Sequence, residues 1–131
     1  HEENMKWLHR IMDDGLLVRR INVRQVVPFE GTELHQTVGN KYLRKNRKYY
    51  WKWRNEIRQK IDFPMLKKVV PKRTVLRRVR MEIYDGKTTF GRQLGTYPLI
   101  VGVKGRLKLK EFYDLKITSH MLRSVTGEIV L

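Results

Sequence analysis

Residues 44–54, RKNRKYYWKWR, carry six cations, four aromatic rings and one Asn, with no acid among them. No core can absorb such a segment, because every unpaired charge taken out of water is costly. A purely solvated helix face, for its part, has little use for four large rings. The partners that suit the segment are polyanions with flat groups, or an anionic membrane surface. Asn40 can cap a helix running to about Ile61, where Asp62-Phe63-Pro64 would end it. On that helix Leu43, Tyr50, Trp53, Ile57 and Ile61 fall near one side, and Arg44, Lys48, Trp51, Arg54 and Arg58 occupy much of the remainder. One stripe is expected to pack while the basic side meets a partner. Trp51 is placed evenly between stacking on a base or sugar and stacking on protein.

The surrounding chain favours the polyanion. Its 131 residues hold 29 Lys+Arg against 13 Asp+Glu, a net +16, and nucleic acid relieves such self-repulsion. The excess is uneven. Residues 1–39 contain six acids and five Lys/Arg, so everything basic on balance follows Asn40. This suggests an N-terminal extension (1–39), a basic aromatic helix and linker (40–74) and a core (75–131). There is no Cys, which removes disulfides, thiolate zinc sites and thiol catalysis. No apolar run approaches the length of a membrane span. The first residue is His1 rather than Met, as expected of a processed or trimmed sequence.

Other elements follow from spacing. Met5, Leu8, Ile11 and Met12 share a helical face over 5–14, with Gly15 as a stop. Residues 16–27 read as extended, and Pro28-Phe29-Glu30-Gly31 as a turn. Pro71 interrupts the basic run 64–80. Val79, Met81 and Ile83 alternate like a strand, and Tyr84-Asp85-Gly86-Lys87 reads as a turn. Leu107 and Leu109, then Tyr113, Leu115 and Ile117, alternate with polar residues. They predict a hairpin over 105–118 that turns at Lys110-Glu111. Ser119 is expected to cap a short helix stopped by Gly127.

Two stretches resemble the small-subunit ribosomal protein S-nineteen family, whose signature runs roughly W-S-R-R-S-x-I-x-P-x-x-[IV]-G and, after a hairpin, [IV]-T-x-x-M-[IV]-G-x-x-x-G-E-F. Here they read FGRQLGTYPLIVG (90–102) and ITSHMLRSVTGEI (117–129). Phe90 stands for the Trp, and Arg92, Pro98, Val101 and Gly102 keep their places. Ile117, Thr118, Met121, Leu122, Gly127 and Glu128 match the second block in order. Gln93 replaces the second Arg, Gly91 and Leu94 replace serines, and Arg123 replaces a Gly. The chain stops at Leu131, short of the family's basic tail. The resemblance covers roughly residues 75–131. It implies an α+β fold, a small antiparallel or mixed sheet with helices and long basic loops, here with an N-terminal helical extension. It also implies a structural constituent of the small ribosomal subunit head, a ribonucleoprotein component that binds rRNA beside the S-thirteen family protein and supports translation. The long stretch before Phe90 and the eroded motif positions suggest a mitochondrial ribosome, with a cytoplasmic or other organellar ribosome as the alternative.

The RNA contacts expected are Arg92 in the loop FGRQLG, with Lys41, Arg44, Lys45, Arg47, Lys48, Lys52, Arg54, Arg58 and Trp51 on the helix. Lys87 at the turn and Arg106 and Lys108 on the hairpin complete the set. Phe90, Pro98, Gly102, Thr118, Met121, Gly127 and Glu128 are expected to serve the fold. No cofactor, metal or membrane partner and no homo-oligomer is expected. Catalysis is disfavoured because Glu82, Asp85, Glu111, Asp114 and His120 are scattered, and the four His lack metal-ligand spacing. The runner-up function is a stand-alone RNA- or DNA-binding factor or an assembly chaperone. Residues 1–39, near neutral and partly apolar, are expected to dock on proteins.

Overall fold

The structure is a computed structural model describing residues 1–131. Its first half is helical. Helix α1 (Glu2–Asp13) buries Met5 and half-buries Leu8, Ile11 and Met12, so the expected face is the one that packs. Gly15, at φ 75°, takes the left-handed turn that ends it. Residues 16–27 cross the protein without joining a sheet. A short helix, α2 (Glu33–Val38), follows the expected turn; the Thr32 hydroxyl accepts the His35 amide at 3.2 Å as its cap.

Helix α3 (Lys41–Ile57) does not end at Pro64 as its sequence suggests. It continues through a π-helical turn, Arg58–Asp62, into α4 (Phe63–Val69). Pro64 has no amide for the Lys60 carbonyl and its ring would crowd that group. The wider turn resolves this, with the Phe63 amide reaching back five residues to the Arg58 carbonyl. Nor does the Asn40 side chain cap α3. Ile57, Ile61 and Met65, one turn apart, meet Met5 of α1 in a buried cluster, which Val18, Ile21 and Val23 flank. Residues 1–23 therefore belong to the helical layer itself.

Five strands follow: β1 (Val75–Asp85), β2 (Thr88–Arg92), β3 (Val101–Lys104), β4 (Phe112–His120) and β5 (Val125–Ile129). They close a barrel in the order β1-β2-β3-β5-β4. The β3–β5 pair is parallel and the other four pairs are antiparallel. Closure depends on β1, whose first half pairs with β4 and whose second half pairs with β2. Irregular register in both ladders bends this long strand between its two partners. Gly86-Lys87 makes the β1–β2 turn, with positive φ at Gly86 alone, as a type II′ turn requires.

The barrel interior holds Val79, Met81, Val101, Val103, Leu115, Ile117 and Val125, and Leu66 of α4 and Val70 just past its end join the same cluster. The coarse α+β expectation thus stands, as helices beside a mixed five-stranded sheet. Two local expectations are corrected. Residues 105–111 form no strand; Leu107 and Leu109 pack on the barrel core from an irregular connection. Buried Thr89 holds that connection, donating to the Gly105 carbonyl (2.7 Å) and accepting the Leu107 amide (3.0 Å). Alternation arose there because two leucines plug the core, without a ladder. Secondly, Ser119 caps no helix: β4 runs on to His120 and a four-residue turn leads into β5. Pairing with β1 and β5 outcompetes the capping signal.

Candidate nucleic-acid interface

Strand β2 turns Thr89 and Gly91 inward and leaves Thr88, Phe90 and Arg92 on the outer surface. Phe90 lies opposite Gly102 of β3. A Cβ on Gly102 would come within 2.9 Å of the ring and 3.3 Å of the Thr88 methyl, so the bare glycine lets the ring lie against β3. Around half-buried Phe90 the surface stays apolar. Ile83 of β1, Ile100 and Met121 are all exposed. Together they line an open groove of about 580 Å3, whose cations are Arg20, Arg92 and Arg123 and whose acids are Glu82 and Asp85.

Arg92 is the last residue of β2 rather than a loop residue. Its Nε donates to Glu82 at 2.9 Å, and its side chain remains half exposed. That bond orients the guanidinium and leaves the two terminal nitrogens for a bidentate partner. It also reduces the net charge of the pair, so Arg92 contributes direction more than field. Arg123, on the β4–β5 turn, donates from Nη2 to Asn22 Oδ1 at 3.2 Å. This ties the barrel to the extended segment 20–24.

The other expected contacts divide into three groups. Lys41, Arg44, Lys45, Arg47, Lys48, Trp51 and Lys52 are exposed along α3. Trp51 stacks no ring face-on; Tyr50 meets it edge-on and the Arg54 guanidinium lies 5.0 Å from its centre. Trp53 is the packed indole, with stacked contacts to both His1 and Tyr49. Arg54 and Arg58 are half-buried and turn toward segment 20–24. Lys87, Arg106 and Lys108 lie on the β1–β2 turn and the β3–β4 connection. There Arg106 sits 5.3 Å from the Tyr84 ring and Lys108 pairs with Glu111 at 3.3 Å.

Among the motif residues, Phe90 and Met121 line the groove, and Gly102 lies beneath Phe90. Pro98 lines a cleft between α4 and the barrel. Thr118 donates to the Thr126 carbonyl at 3.2 Å, Gly127 pairs with Ile117 and Val103, and Glu128 faces Lys116 at 3.9 Å.

Sequence reasoning missed Arg20, Arg24, Ile83, Ile100 and Arg123 as candidate site residues. The first two were averaged into a near-neutral segment, although RRINVR (19–24) contains no acid. Ile83 read as an ordinary strand residue, Ile100 fell at an unassigned position of the first motif block, and Arg123 read only as a departure from a motif.

Asp62 at the π turn is buried. One oxygen accepts the Ile21 amide at 3.0 Å and the other has no partner. Burial pushes its carboxyl above the ordinary range, against the opposing pull of that hydrogen bond and of Arg20 and Arg58. No three His, Cys, Asp or Glu side chains are grouped to hold a metal ion, and no helix is long and apolar enough to cross a membrane.

The chain is 42% identical over 129 residues to the uncharacterized protein MJ0274 of Methanocaldococcus jannaschii, covering 97% of this chain and 24% of that protein. It is 40% identical over 126 residues to an uncharacterized protein of Archaeoglobus fulgidus, covering 96% of this chain and 23% of that one. The chain thus spans about a quarter of the length of these curated relatives. No family model matches it, and no solved structure matches it significantly. Both relatives are archaeal, and archaea have no mitochondria. The expected mitochondrial location is therefore corrected.

Proposed function

We propose that this region is a nucleic-acid-binding module that takes unpaired bases in the groove over β2 and phosphates on the arginines around it. The observation that carries the reading is Phe90, held against Gly102 on the outer face of a closed barrel and surrounded by Ile83, Ile100, Met121, Arg92 and Arg123. Apolar side chains with cations at their margin suit bases that stack and a backbone that stays charged. Topology supports the same face. Five strands in the order β1-β2-β3-β5-β4 make an OB-type Greek-key barrel, an architecture that binds oligonucleotides over strands 2–3 and the β1–β2 and β4–β5 loops. Arg123 and Met121 come from the β4–β5 turn, and Asp85 from the edge of the β1–β2 turn. The net +16 supplies attraction over a wider surface, including the exposed cations of α3.

A ribosomal role rests on the two sequence blocks that resemble the S-nineteen family. Their residues lie in β2, β3, β4, β5 and the connecting turns of the closed barrel, whereas that family implies a small sheet carrying helices with long basic loops. The stand-alone binding reading is therefore the one put forward.

Fluorescence anisotropy with labelled oligonucleotides tests it. Phe90→Ala should weaken binding of an unpaired 12-nucleotide probe by about 1–3 kcal/mol. Arg92→Gln should weaken it more than Lys110→Ala, since Lys110 lies outside the groove. Binding to unpaired probes that ignores both groove variants would sink the proposal. A preference for folded rRNA fragments over unpaired probes would favour the ribosomal role instead.

A further inference from the structure

Five arginines converge where the helical layer meets the barrel. Arg20 and Arg24 come from the extended segment, Arg54 and Arg58 from α3 and the π turn, and Arg123 from the β4–β5 turn. They line a crevice of about 190 Å3 with Ile21, Asn22, Val23 and Tyr50, and no acid is among the lining residues. None of the five forms an ion pair, whereas Arg10 and Arg92 each do. The Nε of Arg123 is buried without a hydrogen-bond partner.

The crevice is built rather than incidental. Its extended wall is fastened at three successive residues. Ile21 donates its amide to Asp62 (3.0 Å), Asn22 accepts from Arg123 (3.2 Å), and Val23 accepts from the Tyr50 hydroxyl (3.1 Å). Those bonds hold Arg20 and Arg24 opposite Arg54 and Arg58 against mutual repulsion. Asp62 beside the crevice attracts Arg20 and Arg58, but one carboxylate does not balance five guanidinium groups, and the remaining counter-charge is left to a ligand. The volume lies below the roughly 300–1,000 Å3 of pockets that enclose a whole small molecule, so the crevice suits a compact anionic group. Planar forks of N–H donors match phosphate oxygens.

We infer that the arginine crevice is a phosphate site that grips a phosphate of the same strand whose bases lie in the groove. This deepens the proposed function and rests on it. Arg20 and Arg123 line both the groove and the crevice, so one strand can run from Phe90 into the arginines without leaving cationic surface.

The test uses Arg24→Gln with Arg54→Gln, and the exposed Arg24→Gln alone in case the pair perturbs folding. Inorganic tripolyphosphate should raise the melting temperature of the wild type and not that of the double variant. This readout needs no nucleic acid, so it separates failure of the crevice from failure of the groove. With a 12-nucleotide single strand, affinity should fall about tenfold per arginine removed. The slope of log affinity against log salt should shrink by about 0.7 per lost phosphate. Probes with and without terminal phosphates separate the two sources of phosphate. A loss confined to phosphorylated probes assigns a strand end, and an equal loss on both assigns an internal phosphodiester. Equal tripolyphosphate stabilisation of wild type and variants, or unchanged oligonucleotide affinity and salt slope, would overturn the site.

Discussion

Gly102 and Asp62 show how much single positions carry. At Gly102 the constraint is space: the backbone is not left-handed, yet an added methyl meets the Phe90 ring at 2.9 Å. Gly102→Ala should therefore displace the ring and cut oligonucleotide affinity by a factor similar to Phe90→Ala. Parallel binding and denaturant titrations of the two variants would check this; unimpaired binding by Gly102→Ala would mean that ring placement is irrelevant. At Asp62 the constraint is solvation. Its carboxyl is raised above 3.8 by burial, so the native state keeps its proton after the unfolded chain has lost it. The folded form then binds more protons, and stability falls as pH rises from about 4 toward the raised value, then levels off. Asp62→Asn keeps an acceptor for the Ile21 amide and has no such titration. The stability difference, Asp62→Asn variant minus wild type, should rise across that interval and stay flat above it. Urea unfolding from pH 4 to 7 measures it, and a flat difference throughout would remove the burial argument.

At the scale of elements, β1 and β2 decide whether the barrel closes. Gly91 faces inward opposite Met81, and a Cβ there would run into the Arg80 carbonyl oxygen and the Met81 side chain. Backbone cannot yield as a flexible side chain can, so Gly91→Ala should cost about 3 kcal/mol, at the upper end of overpacking penalties. Chemical denaturation would show it, and a cost under about 0.5 kcal/mol, the scale of surface substitutions, would mean the β1–β2 approach is looser than described. The period-2 pattern of β1 was legible because Val79 and Met81 point into one core. The same pattern misled at Leu107 and Leu109, where apolar residues plug a barrel from an irregular connection. Alternation reports which residues are buried. It does not report what their backbones pair with.

For the whole molecule, the barrel does not end at its first strand. Leu66 of α4 and Val70 just past its end lie in the same cluster as Val79, Met81, Leu115 and Ile117. His120 Nε2 also lies 2.6 Å from the Val70 carbonyl. A fragment starting at Val75 would expose that interior and should lose the cooperative unfolding expected of the full chain by circular dichroism. Leu66→Ala should cost about 2–5 kcal/mol. A stable 75–131 fragment would mean that the helical layer is only an attachment. The charge asymmetry that suggested a break near residue 40 is real in composition and invisible in packing, since Met5 meets Ile57, Ile61 and Met65. Hydrophobic burial joins segments according to their apolar faces, whatever the net charge of each.

Composition and local spacing alone made three things legible: helical and extended segments in one chain, a surplus of cations after residue 40, and the apolar faces of α1 and α3. These depend on residue type and short-range periodicity, which one segment carries in full. Closure of the strands, the placing of Phe90 over Gly102 and the meeting of Arg20, Arg24, Arg54, Arg58 and Arg123 came only with the tertiary structure. Each joins residues distant in the chain, and such a contact depends on how the intervening segments pack.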